Sequence, residues 1–189
     1  NCRPDIIALS KGIGSGYAPL GAMAAHRRLV EPVLDSGGFQ HGYTYAGNPL
    51  SCSAGLAVLD ELERLGAVEN AAAMGDYLKS GLEALAERFR FIAGARGKGL
   101  LIGADLVADR ETFQPLPKAA NATARLLALA YERGLIIYGR RIRGDGLELD
   151  NFIVAPPLII TSEQVDELLA VLGQSLAALA AELDLPVAG

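Results

Sequence analysis

The sequence predicts a mixed α/β fold. Short unbroken apolar runs closed by glycine or proline alternate with longer stretches whose apolar residues recur every three to four positions. Hydrophobic residues make up 51% of the 189, which is enough for a proper core and rules out a disordered chain. Seventeen Lys plus Arg stand against 22 Asp plus Glu, a formal net charge of −5. An acidic chain without clustered cations speaks against a nucleic-acid partner. No apolar run approaches the ~20 residues of a membrane helix, so no membrane partner is expected.

The elements follow in order. Residues 5–10 form an apolar run suited to a strand buried on both faces, as in a parallel sheet. Lys11 ends it, a glycine-rich turn follows at 12–17, and 20–25 reads as a second strand. A loop over 36–47 leads to a helix over 50–65, with Asn48 as cap, Pro49 at the first helical position and Gly66 as stop. Met74, Leu78, Leu82, Leu85 and Phe89 mark a second helix. Residues 91–97 and 99–107 read as strands, with Leu100, Ile102, Ala104 and Leu106 sharing one face. Residues 108–118 read as loop, 119–133 as helix, 135–138 as strand, 140–143 as a basic loop and 152–155 as strand. Thr161 and Gln164 form a capping box that opens a last helix. The pattern divides near Gly66.

Lys11 is the first candidate for chemistry. Open α/β sheets bind ligands beyond the C-terminal ends of their strands, and a desolvated lysine there can form a Schiff base. On spacing alone, a lysine reaching from a strand end into solvent is the favoured reading. Thr44 precedes the positive end of a helix, where hydroxyls favour phosphate, yet it reads equally as a strand-forming residue between Tyr43 and Tyr45. Arg140, Arg141 and Arg143 can grip a carboxylate, although arginines in such a loop are usually only solvated. The 12–16 glycines lack the dinucleotide fingerprint, and 96–99 lacks P-loop spacing. Cys2 and Cys52 make no disulfide framework, so a cytoplasmic setting is expected. His26 and His41 are too few for a metal cluster, and no metal is expected.

Four stretches, in order, resemble the class III aminotransferases, pyridoxal-phosphate (PLP) enzymes of fold type I. They are PDIIALSKGIGSGYAPLGAM (4–23), HGYTYAGNPLSCSAGLAVL (41–59), RGKGLLIGADLVADRETFQP (96–115) and APPLIITSEQVDELL (155–169). The resemblance implies that Lys11 holds PLP covalently and moves a proton between the substrate Cα and the cofactor's C4′. It implies that Thr44, beside the Tyr43 backbone, binds the cofactor phosphate of a neighbouring subunit, and hence a homodimer with shared sites. Residues 1–66 would close the large cofactor domain, and 67–189 would form most of the small C-terminal domain. The implied activity moves an amino group between an amine or amino acid and an oxo-acid. Aminomutase, decarboxylase or racemase chemistry, or a catalytically inactive truncated chain, is the alternative.

Relatives carry a glycine/serine phosphate loop, a ring-stacking aromatic and an Asp for the pyridine nitrogen before the lysine. Lys11 has only ten residues before it, and Asp5 belongs to the PDI stretch instead. With Asn rather than Met at position 1, the chain is expected to be the C-terminal portion of a longer protein. Several branches also place an arginine shortly before the PPL segment. Residues 146–154 contain none, which leaves Arg140, Arg141 and Arg143 as substrate-binding candidates.

Overall fold

The structure, a computed structural model, describes residues 2–144 and 147–188. The chain divides into two compact units, Asn1–Gly66 and Ala67–Gly189.

In the first unit, β1 (Ile6–Leu9) pairs antiparallel with β2 (Ala22–Ala25), with Ile6 opposite Ala25 and Leu9 opposite Ala22. A 3-10 turn, Lys11–Gly14, follows β1 directly. Helix α1 (Arg27–Asp35) comes next, capped by His26, whose Nδ1 accepts the Arg28 N–H at 3.2 Å. Little in the sequence announces this helix, because histidine is not a usual cap. Helix α2 (Pro49–Arg64) starts as expected: the Asn48 carbonyl oxygen accepts the Ser51 N–H at 3.1 Å, and Pro49 occupies the first turn.

The expected burial of β1 is corrected. Ile6, Ile7 and Leu9 are 54%, 43% and 44% exposed, and β1 pairs among the described residues with β2 alone, antiparallel. A two-stranded ribbon has no second layer to cover its faces, so an apolar run alone does not guarantee burial. Every buried apolar side chain among the described residues belongs to the second unit.

That unit opens with α3 (Ala67–Arg88), followed by β3 (Ile92–Lys98), β4 (Leu101–Asp109) and the two-residue β5 (Gln114–Pro115). Helix α4 (Ala122–Glu132), the hairpin β6 (Tyr138–Gly144) and β7 (Leu147–Val154), and α5 (Ser162–Leu183) complete it. The sheet runs β3-β4-β7-β6, antiparallel throughout, with β5 pairing beside β4. Leu78 and Leu82 of α3, Ile102, Ala104 and Leu106 of β4, and Leu172, Leu176 and Leu179 of α5 are all buried in one core. The Thr161–Gln164 capping box forms in both directions.

Two sequence readings are corrected here. Residues 108–118 contain the end of β4 and all of β5 rather than loop alone. The strand read over 135–138 begins only at Tyr138, and the supposed basic loop carrying Arg140, Arg141 and Arg143 is β6 itself. Tyr138 pairs with Ile153, so continuing that register would set Leu135 against Pro156, which has no N–H for a ladder. The arginines hid the strand because charges on an edge strand blur its apolar alternation.

Candidate functional site

Lys11 stands one residue beyond β1, at the head of the 3-10 turn, with φ +54°. That left-handed backbone is uncommon for a residue with a side chain, and such conformations cluster at functional positions. Its amine is exposed and has no hydrogen-bond or ion-pair partner among the described residues. Backbone bonds fix the turn: Ile13 N–H to Ser10 O at 3.4 Å, Ser15 N–H to Gly12 O at 3.1 Å and Tyr17 N–H to Gly14 O at 2.9 Å. The turn rests on α2 through Gly55, where a Cβ would lie 2.4 Å from Leu20 Cδ2. The glycine leaves room for the Leu20 side chain, and Ile13 O of the turn lies 3.6 Å from the Cβ position.

Thr44 opens the turn that enters α2, with Ala46 N–H bonded to Tyr43 O at 2.9 Å and Asn48 N–H to Tyr45 O at 3.1 Å. Tyr43 and Thr44 are exposed, and the Tyr43 ring meets His41 edge to face at 5.2 Å. The segments that follow Lys11 and Thr44 converge within this unit. A cavity of about 400 Å³ is lined by Leu20 and Gly21 on one side and by Tyr45, Asn48, Ser51 and Cys52 on the other. Lys11 and Thr44 themselves are not among its walls. Asp5 is paired with Arg28, both side chains remaining more than half exposed.

The three arginines have separate fates. Arg141 is largely buried and committed: its guanidinium donates to Asp150 Oδ2 at 2.6 Å, Glu148 Oε2 at 3.3 Å and the Leu116 carbonyl at 3.1 Å. Arg140 is exposed and makes no ion pair among the described residues. Its backbone lies opposite Asn151. The Arg143 side chain lies outside the described residues.

Sequence reading missed the buried polar groups of the second unit. Asp105, Thr123, Asp150 and Asn151 are each at most 5% exposed. Arg96 reaches across to Asp105 with two bonds, 2.5 and 2.7 Å, and that bidentate contact holds the guanidinium above its ordinary pKa despite partial burial. An aspartate inside an apolar strand, as in GADL and LELD, was the available signal. Among the described residues no cluster of His, Cys, Asp and Glu is arranged to hold a metal. No helix there is long and apolar enough to cross a membrane.

Lys11, its turn and the capped helix α2 thus lie together in the first unit of an α/β chain. The characteristic pattern of the aminotransferases of class III matches residues 1–176, and the chain belongs to that family. It is 35% identical to the uncharacterized aminotransferase YodT of Bacillus subtilis over 176 residues, 93% of this chain and 40% of that protein. It is 34% identical to the leucine/methionine racemase of Thermococcus litoralis, covering 87% of this chain and 34% of that protein. The fold matches the PLP-bound amine transaminase of an uncultivated Pseudomonas species with a TM-score of 0.79 and 36% identity, over 95% of this chain and 39% of that one. The chain therefore spans 34% to 40% of the length of the relatives named here.

Proposed function

We propose that this chain serves in a PLP-dependent transaminase that moves an amino group between an amine or amino acid and an oxo-acid. The observation that carries the reading is Lys11, an unpartnered amine held at a strand end by an unusual backbone. When bound, PLP supplies an electron sink for charge developing at the substrate Cα. Lys11 Nζ would hold the cofactor covalently and, once released, would move a proton at the substrate Cα. Thr44, with the Tyr43 backbone, donates to the phosphate of a neighbouring subunit's cofactor, near the positive end of α2. Of the β6 arginines, Arg140 makes no ion pair among the described residues, and it would bind a substrate carboxylate.

The residues fit part of the cofactor's needs. The free amine suits covalent attachment. A phosphate of about −1.5 to −2 charge needs more donors than one threonine, and Asp5 is already paired with Arg28. The remaining groups, in this reading, come from polypeptide beyond these residues and from the second subunit of a homodimer. Residues 1–66 would belong to the large cofactor domain and 67–189 to the small C-terminal domain, in a cytoplasmic enzyme without nucleic-acid or membrane partners. The similarity to a racemase supports a second reading, in which the same lysine returns the proton to Cα on either face.

Borohydride reduction of the complete PLP-loaded enzyme, followed by peptide mapping, tests the assignment. A phosphopyridoxyl group on the Lys11 peptide is expected. An adduct on Lys79, Lys98 or Lys118 instead would sink it. Product analysis with single-enantiomer amino acids, with and without pyruvate, separates transamination from racemisation.

A further inference from the structure

We propose, resting on the role given to Arg140 in binding a substrate carboxylate, that Gly139 and Arg141 are its positioning residues. Together they fix the register of β6, so that Arg140 and not its neighbour is the arginine presented to the substrate. All the contacts involved lie within the second unit.

The sequence leaves the choice between the two arginines open. They stand side by side on β6, and consecutive strand residues point to opposite faces. A slip of one residue along β7 would exchange those faces. In the observed register Gly139 stands opposite Phe152, Arg140 opposite Asn151 and Arg141 opposite Asp150. Gly139 and Arg141 face α4, through Thr123 and through Asp150, which Thr123 holds. Arg140 lies on the other face and is exposed.

Two contacts hold this register, by different physics. The first is steric. A Cβ at Gly139 would fall 2.3 Å from Asn151 O, 3.0 Å from Thr123 Cγ2 and 3.1 Å from Phe152 Cα. Two of those atoms are backbone, so a side chain fits there only if a strand moves. The second is electrostatic. Asp150 is 1% exposed, and its Oδ2 accepts from the Arg141 guanidinium at 2.6 Å. The other nitrogens of that guanidinium donate to Leu116 O at 3.1 Å and Glu148 Oε2 at 3.3 Å.

The two one-residue slips fail for different reasons. One sets Arg140 opposite Asp150, so the buried carboxylate keeps a cation and Arg141 turns to the exposed face. Tyr138 then falls opposite Phe152, where even a methyl group has no room. Gly139 alone rejects this slip, and it is the slip that would substitute one arginine for the other. The opposite slip sets Ile142 against Asp150 and Arg140 in the glycine's place. It deprives a buried carboxylate of its guanidinium and overfills the same position.

The test uses the complete PLP-loaded enzyme and follows KM and kcat for pyruvate as amino acceptor. Arg140→Ala sets the scale, with KM raised about tenfold or more. Gly139→Ala and Arg141→Met are each expected to raise KM about tenfold while kcat stays within about twofold, the mark of lost ground-state binding. Arg141→Lys keeps a cation opposite Asp150 without the planar fork, and its KM is expected to fall between wild type and Arg141→Met. Should Arg141→Met not fold, Asp150→Asn removes the charge that holds Arg141 and is expected to raise KM likewise. A rise in Arg140→Ala that is missing from either Gly139→Ala or the Arg141–Asp150 variant overturns the proposal and leaves the role of Arg140 standing. So does a fall in kcat with KM unchanged. No rise in Arg140→Ala overturns the role of Arg140 itself, and the proposal with it.

Discussion

Asp150 on β7 caps α4 through Thr123, accepting its N–H at 3.2 Å and its hydroxyl at 2.9 Å. The helix needs this help because its own N-cap residue, Asn121, sits at φ +47° and makes no side-chain cap. The second carboxylate oxygen of Asp150 takes Arg141 at 2.6 Å. One buried side chain thus joins a helix end, a hairpin and a cation. Asp150→Ala leaves Arg141 with Glu148 as its one remaining carboxylate among the described residues and uncaps the helix, a loss of ~3 kcal/mol. Thr123→Val removes only the hydroxyl bonds and costs ~1–3 kcal/mol. Urea unfolding of both variants checks the order, and equal costs would contradict it.

Two glycines on α3 make a matched pair. A Cβ at Gly75 would fall 2.4 Å from the Gly99 carbonyl, which is backbone and cannot step aside. At Gly81 it would meet Leu169 Cδ1 at 2.2 Å, the tip of a side chain that can turn. Alanine gains ~1 kcal/mol over glycine in a helix. Gly81→Ala is therefore expected to be near neutral, whereas Gly75→Ala loses ~1–3 kcal/mol to overpacking. Thermal melts of the two variants read the difference directly.

Tyr77 donates to Asp166 Oδ1 at 2.7 Å, linking α3 to α5. That bond, then the Asp166 charge, then desolvation and Glu163, raise the phenol pKa. A group raised on folding stabilises the protein below its unfolded pKa, ~10 here, and loses that contribution as pH climbs through the folded value. Wild-type stability should fall above about pH 10 more steeply than that of Tyr77→Phe. Urea midpoints at neutral and alkaline pH measure it, and parallel profiles would count against the bond.

The left-handed backbone at Lys11 costs a residue with a Cβ ~1–2 kcal/mol. Lys11→Gly should relieve it and slow amide exchange across residues 11–17 by about five- to thirty-fold. Lys11→Ala should leave that exchange unchanged. In the complete enzyme both variants are expected to abolish turnover.

The 189-residue chain alone is expected to lack transaminase activity. Thr44 cannot satisfy the phosphate by itself, and Asp5 cannot serve the pyridine nitrogen while paired with Arg28. Expression with added PLP, several amine donors and pyruvate provides the assay. Sustained turnover that vanishes in Lys11→Ala would prove the expectation wrong.

Helices with ordinary punctuation were legible. Asn48 with Pro49, and Thr161 with Gln164, announced α2 and α5 because their capping chemistry is local. The stripe through Leu78 and Leu82 likewise foretold the buried face of α3. What escaped was set by partners distant in sequence. Helix α1 relies on His26, and α4 on an aspartate 27 positions downstream. Strand β6 carries its charges for reasons visible only once Asp150 stands opposite Arg141. At the candidate site, the place of Lys11 after an apolar run favoured only a solvated lysine, and its proposed role comes from the resemblance of its SKG stretch. Its φ and its lack of a partner were not legible, because both depend on how the following turn settles onto α2.

The uneven distribution of the core bears on how the molecule would be degraded. Proteases cut where a segment opens readily, and opening is cheapest where no apolar side chain is withdrawn from water. Arg3, Lys11, Arg27 and Arg28 all lie in the unit that buries none, each within a few residues of exposed apolar surface. Limited trypsin digestion would begin there and leave a resistant remainder starting close to Ala67. The lifetime of the lysine-bearing unit is thus set by whatever covers its strands and helices.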